Sequence, residues 1–146
     1  MLPKWMRLQS SPRAKTIPQH SVVIVSDDVA SLDALEAALK ENNYFVYSMR
    51  TVPEALLLLG TIPLPDAIIC DFAKPKDAGK DFLDRARIRY GKRVLPPILF
   101  LMDEPEDEEA ARLFGANDLL AKPFTNEALL NSINGMIANR AKPIAS

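Results

Sequence analysis

Residues 67–79 read AIICDFAKPKDAG. An apolar run closes on an aspartate, Asp71, and the chain then turns polar and meets Pro75 and Gly79. A run of Ala, Ile and Cys is expected to lie buried, and a carboxylate at its end is costly there unless it is hydrogen-bonded or paired. Asp71 therefore either caps the turn that follows or stands in a cleft where it binds a cation or reacts. The segments on either side decide between these.

Working outward, the same grammar repeats. SVVIVSDD (21–28) is a β-branched run ending in acids, which reads as a buried parallel strand. ASLDALEAALKENN (30–43) follows with Leu32, Leu35 and Leu39 at helical spacing. YFVYSMR (44–50) is strand-like, and TVPEALLLLG (51–60) is a helix with Thr51 as N-cap, Pro53 in its first turn and Gly60 at its end. DAIICD (66–71) is the third strand. KDFLDRARIRYG (80–91) is a helix whose apolar side is predicted to carry Phe82, Leu83, Ala86 and Ile88. LPPILFLMD (95–103) is a strand with its prolines at the entry, where a missing N–H is tolerated. EDEEAARLFGA (106–116), DLLAK (118–122) and TNEALLNSINGMIANR (125–140) give a short acidic helix, a fifth strand and a last helix. Five strands alternating with five helices predict an α/β fold, a doubly wound parallel five-stranded sheet with right-handed crossovers. In such sheets ligands bind beyond the carboxyl ends of the strands. Asp27 and Asp28, Asp71, Asp103 and Lys122 are predicted at that edge.

The bulk numbers narrow the chemistry. The 146 residues are 48% hydrophobic, enough for one packed core, and the net charge of -1 gives no whole-molecule argument for nucleic acid or a membrane. One cysteine, Cys70, and one histidine, His20, exclude an intramolecular disulfide and a Cys/His zinc cluster. Cys70 reads as a buried core thiol. No apolar run approaches the ~20 residues of a membrane span, and the first residues lack the apolar core of a secretory signal, so the expected compartment is the cytoplasm. Residues 1–20 carry Lys4, Arg7, Arg13 and Lys15, no acid and three prolines. They read as a leader distinct from the domain at 21–146, either flexible or a docking peptide anchored by Trp5, Met6 and Leu8.

Carboxylates at neighbouring strand ends repel unless a cation sits between them. Mg²⁺, which takes hard oxygen ligands, is the natural guest, and a lysine on the adjacent strand end could contact a phosphoryl group. Asp71 would then be a nucleophile able to carry phosphate as a mixed anhydride. From spacing alone, turn-capping acids remain the alternative.

VVIVSDD (22–28), CDFAKPKDAG (70–79) and FGANDLLAKPF (114–124) resemble the three signatures of the receiver domain of two-component response regulators, in order and spacing, over residues 21–140. The resemblance implies a flavodoxin-like receiver fold with Asp71 as phosphoacceptor, charged by a histidine kinase or phosphotransfer protein. It implies Mg²⁺ held by Asp27, Asp71 and the backbone carbonyl of Ala73, with Lys122 on the phosphate. It also implies a downstream protein partner, and a homodimer face on the fourth and fifth helices as in many receivers. Such a domain is not an enzyme beyond its own phosphotransfer and dephosphorylation. If the chain is the whole protein, no residues remain for a nucleic-acid-binding output domain.

Four positions depart from that pattern. The first of the paired acids falls on Ser26. The hydroxyl-bearing switch position falls on Met102, whose thioether cannot donate a hydrogen bond. The small residue after it is Asp103, and the aromatic switch position is Leu119. Asp28 reads as a helix-start acid. These departures predict weakened switching at a phosphorylatable Asp71, with a non-phosphorylated pseudo-receiver acting as a protein-interaction module as the alternative. An aspartate-nucleophile hydrolase is disfavoured because Ala73 stands where its general acid belongs, and neither G-x-G-x-x-G nor G-x-x-x-x-G-K-[ST] occurs. The acidic run DEPEDEE (103–109) reads as a solvated face or as a dock for a basic segment.

Overall fold

Every strand pair is parallel in the computed structural model, which describes residues 20–72, 78–90, 95–103 and 107–139, the side chains of 107, 110 and 114 excepted. The elements run β1 His20–Ser26, α1 Val29–Glu41, β2 Tyr44–Met49, α2 Val52–Leu59, β3 Ala67–Asp71, α3 Lys80–Tyr90, β4 Ile98–Met102, α4 Asp107–Phe114, β5 Asp118–Ala121 and α5 Asn126–Ala138. The sheet order is β2-β1-β3-β4-β5. The chain leaves β1 to one side for β2 and returns to the other side for β3, so the switch point lies between β1 and β3. Residues 1–19 of the leader, Ala73 and Pro75 lie outside the described residues, and His20 opens β1.

Side-chain alternation in the strands splits the core into two layers. Val23 and Val25 of β1, Ile68 and Cys70 of β3, and Ile98 and Phe100 of β4 pack against α2, α3 and Ala111 of α4. Val22 and Ile24, Ala67 and Ile69, and Leu99 and Leu101 pack against α1 and α5. Strands buried on both faces explain the unbroken β-branched runs of the sequence. Polar side chains pin the strand starts: Asp66 accepts from the Ser21 N–H at 2.8 Å, and Asn117 accepts from the Ile98 N–H at 2.9 Å.

Helix starts follow the sequence. Asp28, Thr51 and Thr125 cap α1, α2 and α5 by accepting from the backbone N–H groups of Ala30, Glu54 and Ala128. Strands β1, β4 and β5 stop slightly before the acids and lysine predicted to end them. In β1 the cause is visible: Ser26 Oγ accepts from the Asp28 N–H, and the chain turns at once into the α1 cap. In α3 the predicted apolar face needs one correction. Phe82, Leu83, Ala86 and Tyr90 are buried, whereas Ile88 is 81% exposed. At 100° per residue Ile88 lies about 200° from Ala86, so helical phase overrides hydrophobicity.

Two glycines are required by their surroundings. A methyl at Gly79 would stand 3.0 Å from ring carbons of Phe100, so glycine lets the start of α3 close onto β4. Gly115 ends α4 at φ +95° with the Arg87 guanidinium over it. Gly115→Val is expected to cost about 2 kcal/mol from the left-handed backbone alone. A lower midpoint in urea unfolding, at unchanged slope, checks this.

Candidate functional site

The register that builds the sheet also builds the site. Ser26 pairs with Asp71 across β1 and β3. Both continue the parity of residues that face α1 and α5, Val22 and Ile24 in one strand and Ala67 and Ile69 in the other. They therefore meet: Ser26 Oγ donates to Asp71 Oδ2 at 2.9 Å, with both side chains buried. Lys122, just past β5, shares the parity of Leu120, which also faces that layer. Its Nζ donates to Asp71 Oδ1 at 2.5 Å. A carboxylate only 3% exposed thus has a cation on one oxygen and a hydroxyl on the other. Without them its burial would cost several kcal/mol.

Asp103 adds a second acid, with its Oδ1 3.8 Å from Lys122 Nζ. Burial works to lower the Lys122 pKa, but the hydrogen bond and charge of Asp71, followed by the charges of Asp103 and Asp28, hold it above the ordinary value. Burial, and then the Asp71 charge, push the neighbouring Cys70 thiol far up. Cys70 is thus a core side chain rather than a nucleophile. Asp28 is committed to the α1 cap, where Ser31 Oγ also donates to it. Asp27 is exposed and lies beyond the last paired residue of β1, so the sheet does not fix its side. Beside Asp71 and Lys122 opens a groove of about 350 Å³ between α1 and α5, lined by Leu35, Leu101, Phe124 and Leu129 among others.

The sequence reading placed Asp71 and Lys122 together, and the structure joins them directly. It treated Ser26 only as a missing acid and overlooked it as a hydrogen-bond donor to Asp71. Once β1 and β3 are taken as neighbours, the matching parity of Ser26 and Asp71 is the signal that would have found it.

A buried acid at the switch point, bonded by a lysine from the far end of the chain, is where comparison with known proteins becomes informative. Residues 22–134 match the response regulator receiver domain family. This chain belongs to that family. It is 30% identical over 118 residues to the cell cycle response regulator CtrA of Brucella ovis, a match covering 80% of this chain and 49% of that protein. The chain thus spans about half the length of the CtrA relatives. Among solved structures, a response regulator signal receiver domain from Bermanella marisrubri aligns with a TM-score of 0.70 at 30% identity, covering 80% of this chain and 97% of that one. The chemotaxis response regulator CheY4 of Vibrio cholerae aligns at 0.67 and 27%, covering 82% and 98%.

Within this receiver the altered positions have definite surroundings. Met102 is buried and its carbonyl accepts from the Lys122 N–H at 2.8 Å. It continues the parity of Ile98 and Phe100, towards the α2–α4 layer. Leu119 is partly buried and packs on that same layer. No helix among the described residues is long and apolar enough to cross a membrane. Among them, no group of three His, Cys, Asp or Glu side chains is arranged to hold a metal ion.

Proposed function

We propose that this receiver accepts a phosphoryl group on Asp71 from a histidine kinase or phosphotransfer protein and passes the signal on with weakened switching. The observation carrying this reading is the buried Asp71 carboxylate held by Lys122 on Oδ1 and Ser26 on Oδ2. An Asp71 oxygen forms the new P–O bond as the donor's P–N bond breaks, and the released imidazole takes up a proton. Lys122, already charged and donating, transfers its hydrogen bond to a phosphoryl oxygen, a charge-assisted contact of about 1.5–3 kcal/mol. The groove between α1 and α5 gives an apolar side chain of the donor protein a seat beside Asp71.

The oxygen donors suit Mg²⁺, which binds through one or two carboxylates and keeps several waters. Asp71 and Asp27 would hold it, with the Ala73 carbonyl as the further ligand the family implies. Bound there, the ion would offset the negative charge of the phosphoryl oxygens. A neutral Ser26 in place of an acid removes one charge from the set. Ser26→Asp is therefore expected to raise Mg²⁺ affinity about tenfold. Calorimetric titration of the unphosphorylated protein with magnesium chloride reads this directly, and equal affinities in the two proteins would remove Ser26 from the metal's surroundings.

Weak switching follows from Met102 and Leu119. Neither side chain can hydrogen-bond a phosphoryl oxygen, and two-state proteins shift only by the differential interaction a ligand makes. Asp103, 54% exposed beside Lys122, adds a negative charge that the incoming phosphate must meet. Incubation with acetyl phosphate and Mg²⁺ tests the acceptor assignment. A phosphoryl adduct of the intact protein is the expected result, and none with any small phosphodonor would overturn it.

A further inference from the structure

The sheet ends on two different kinds of edge. β5 is four residues long, opens on Asp118 and is followed by Lys122. β2 is six residues long, YFVYSM, with no charge and no proline, and it pairs with β1 residue for residue without a bulge. Unpaired N–H and C=O groups recruit another strand, so edge strands are normally kept short or protected by charge, proline or bulges. β5 is short and charged, whereas β2 has none of these protections. Phe45 on β2 is 51% exposed, and its ring lies against Tyr47 with centroids 4.9 Å apart. Both point to the α2 side of the sheet, where Tyr47 and Met49 meet the core.

The other side of β2 lies under α1. Ser48 Oγ donates to Glu36 Oε2 at 2.9 Å, and Lys40 Nζ, one turn further on, donates to Glu36 Oε1 at 2.5 Å. Ser31 and Ala34 line the groove shared with α5. The flank of α1 bearing Val29, Asp33, Glu36 and Lys40, at helical spacing, therefore faces out over the β2 edge. Along that flank the acids come first and the lysine last. Because α1 runs antiparallel to β2, the acids lie towards the Asp71 rim and Lys40 towards the start of β2.

We propose that two copies of this chain pair through their β2 edges, as antiparallel neighbours about a two-fold axis normal to the sheet at Val46. Such an axis keeps each face of the sheet on its own side, so opposed residues must share parity. Val46 then meets the second Val46, and each Phe45 meets Tyr47 of the other copy, which joins the two aromatic pairs into one cluster. On the opposite face, α1 packs on both β1 and β2. The two α1 axes therefore come about 10 Å apart, an ordinary helix-packing distance. Glu36, tethered to Ser48, and Lys40, ~6 Å further along α1, straddle the axis. The antiparallel arrangement thus sets Lys40 of each copy against Glu36 of the other. Exchanging partners in this way costs little, since exposed pairs within one helix are weak.

A second copy fits this edge better than a lone extended peptide, which would satisfy the β2 backbone but leave the α1 flank uncovered. Pairing consumes both β2 edges and leaves only the protected β5 edges, so association stops at two. The edge is ~20 Å long and, with the α1 flank, about as deep. It offers roughly 400 Å² per copy against ~800 Å² in a standard interface, so the dimer is weak and reversible.

Sedimentation velocity of the full chain from about 10 µM to 1 mM tests this. The expected result is a concentration-dependent shift from monomer to dimer and no further. Phe45→Lys should weaken association about tenfold or more, with an unchanged circular dichroism spectrum because the side chain is already half in water. Glu36→Lys alone and Lys40→Glu alone should each weaken it about tenfold, since the two-fold applies the like-charge repulsion twice. An equimolar mixture of these two variants should recover the dimer, because every opposed pair is then of opposite sign. Monomer throughout would overturn the proposal, whether the edge is then covered by residues 1–19, by another protein or by nothing. A dimer indifferent to these changes would belong to another face, such as that of α4 and α5, and would overturn it too. So would the absence of recovery on mixing. None of these readouts depends on phosphorylation of Asp71.

Discussion

Asp71→Asn is expected to abolish phosphoryl labelling while leaving the fold in place. The amide keeps the shape of the carboxylate: its oxygen still accepts from Lys122 Nζ, and its NH₂ group can donate to Ser26 Oγ, which turns from donor to acceptor. The excess positive charge on Lys122 is not stranded, because Asp103 stands 3.8 Å away and a quarter of the lysine side chain reaches solvent. The amide, however, lacks the anionic oxygen that attacks phosphorus. Intact-protein mass spectrometry after acetyl phosphate treatment should show an adduct on the wild type and none on the variant. An adduct of equal yield on Asp71→Asn would place the acceptor elsewhere.

Lys122→Met has the second large effect, and it acts on both stability and chemistry. It leaves the Asp71 carboxylate, at 3% exposure, with the Ser26 hydroxyl as its remaining side-chain hydrogen-bond donor among the described residues. Breaking a fully buried pair costs about 3–5 kcal/mol, and water around the partly exposed lysine brings this nearer 2–3 kcal/mol. Labelling by acetyl phosphate should slow by roughly tenfold or more, since the charged donor to the phosphoryl group is gone. The pH dependence has a definite sign. Lys122 is raised above its ordinary 10.5, chiefly by Asp71 against the opposing effect of burial. Its contribution is therefore complete below about pH 10.5 and lost as pH rises through the higher folded value. Urea unfolding at rising alkaline pH should show the wild-type advantage over Lys122→Met shrinking in that window. A constant advantage would mean that the pair contributes little.

The parts of this fold written in local pattern were legible before the structure. Runs such as VVIV and ILFLM read as doubly buried strands, and Thr51 with Pro53 marks a helix start by capping chemistry. Asp71 and Lys122 were legible as a pair because each follows an apolar run whose end lies on the same sheet edge. Ser26 was not, because its role depends on β1 lying beside β3 in register, a relation between segments 45 residues apart. Ile88 was misplaced because side-chain character was weighed above helical phase. Asp27 lies one residue past the end of β1, where the chain turns into the α1 cap, so strand parity does not place its side chain.

Beryllofluoride, a non-covalent stand-in for the phosphoryl group, separates the two halves of the account when titrated with Mg²⁺ against amide chemical shifts. Large shifts are expected at Ser26–Asp28, Cys70–Phe72, Ala121 and Lys122, with little change along α4 and at Leu119, because the Met102 thioether has no hydrogen to donate to the phosphoryl group and so carries no change outward. Silence at the Asp71 rim, or strong shifts spreading through α4 and β5, would contradict it.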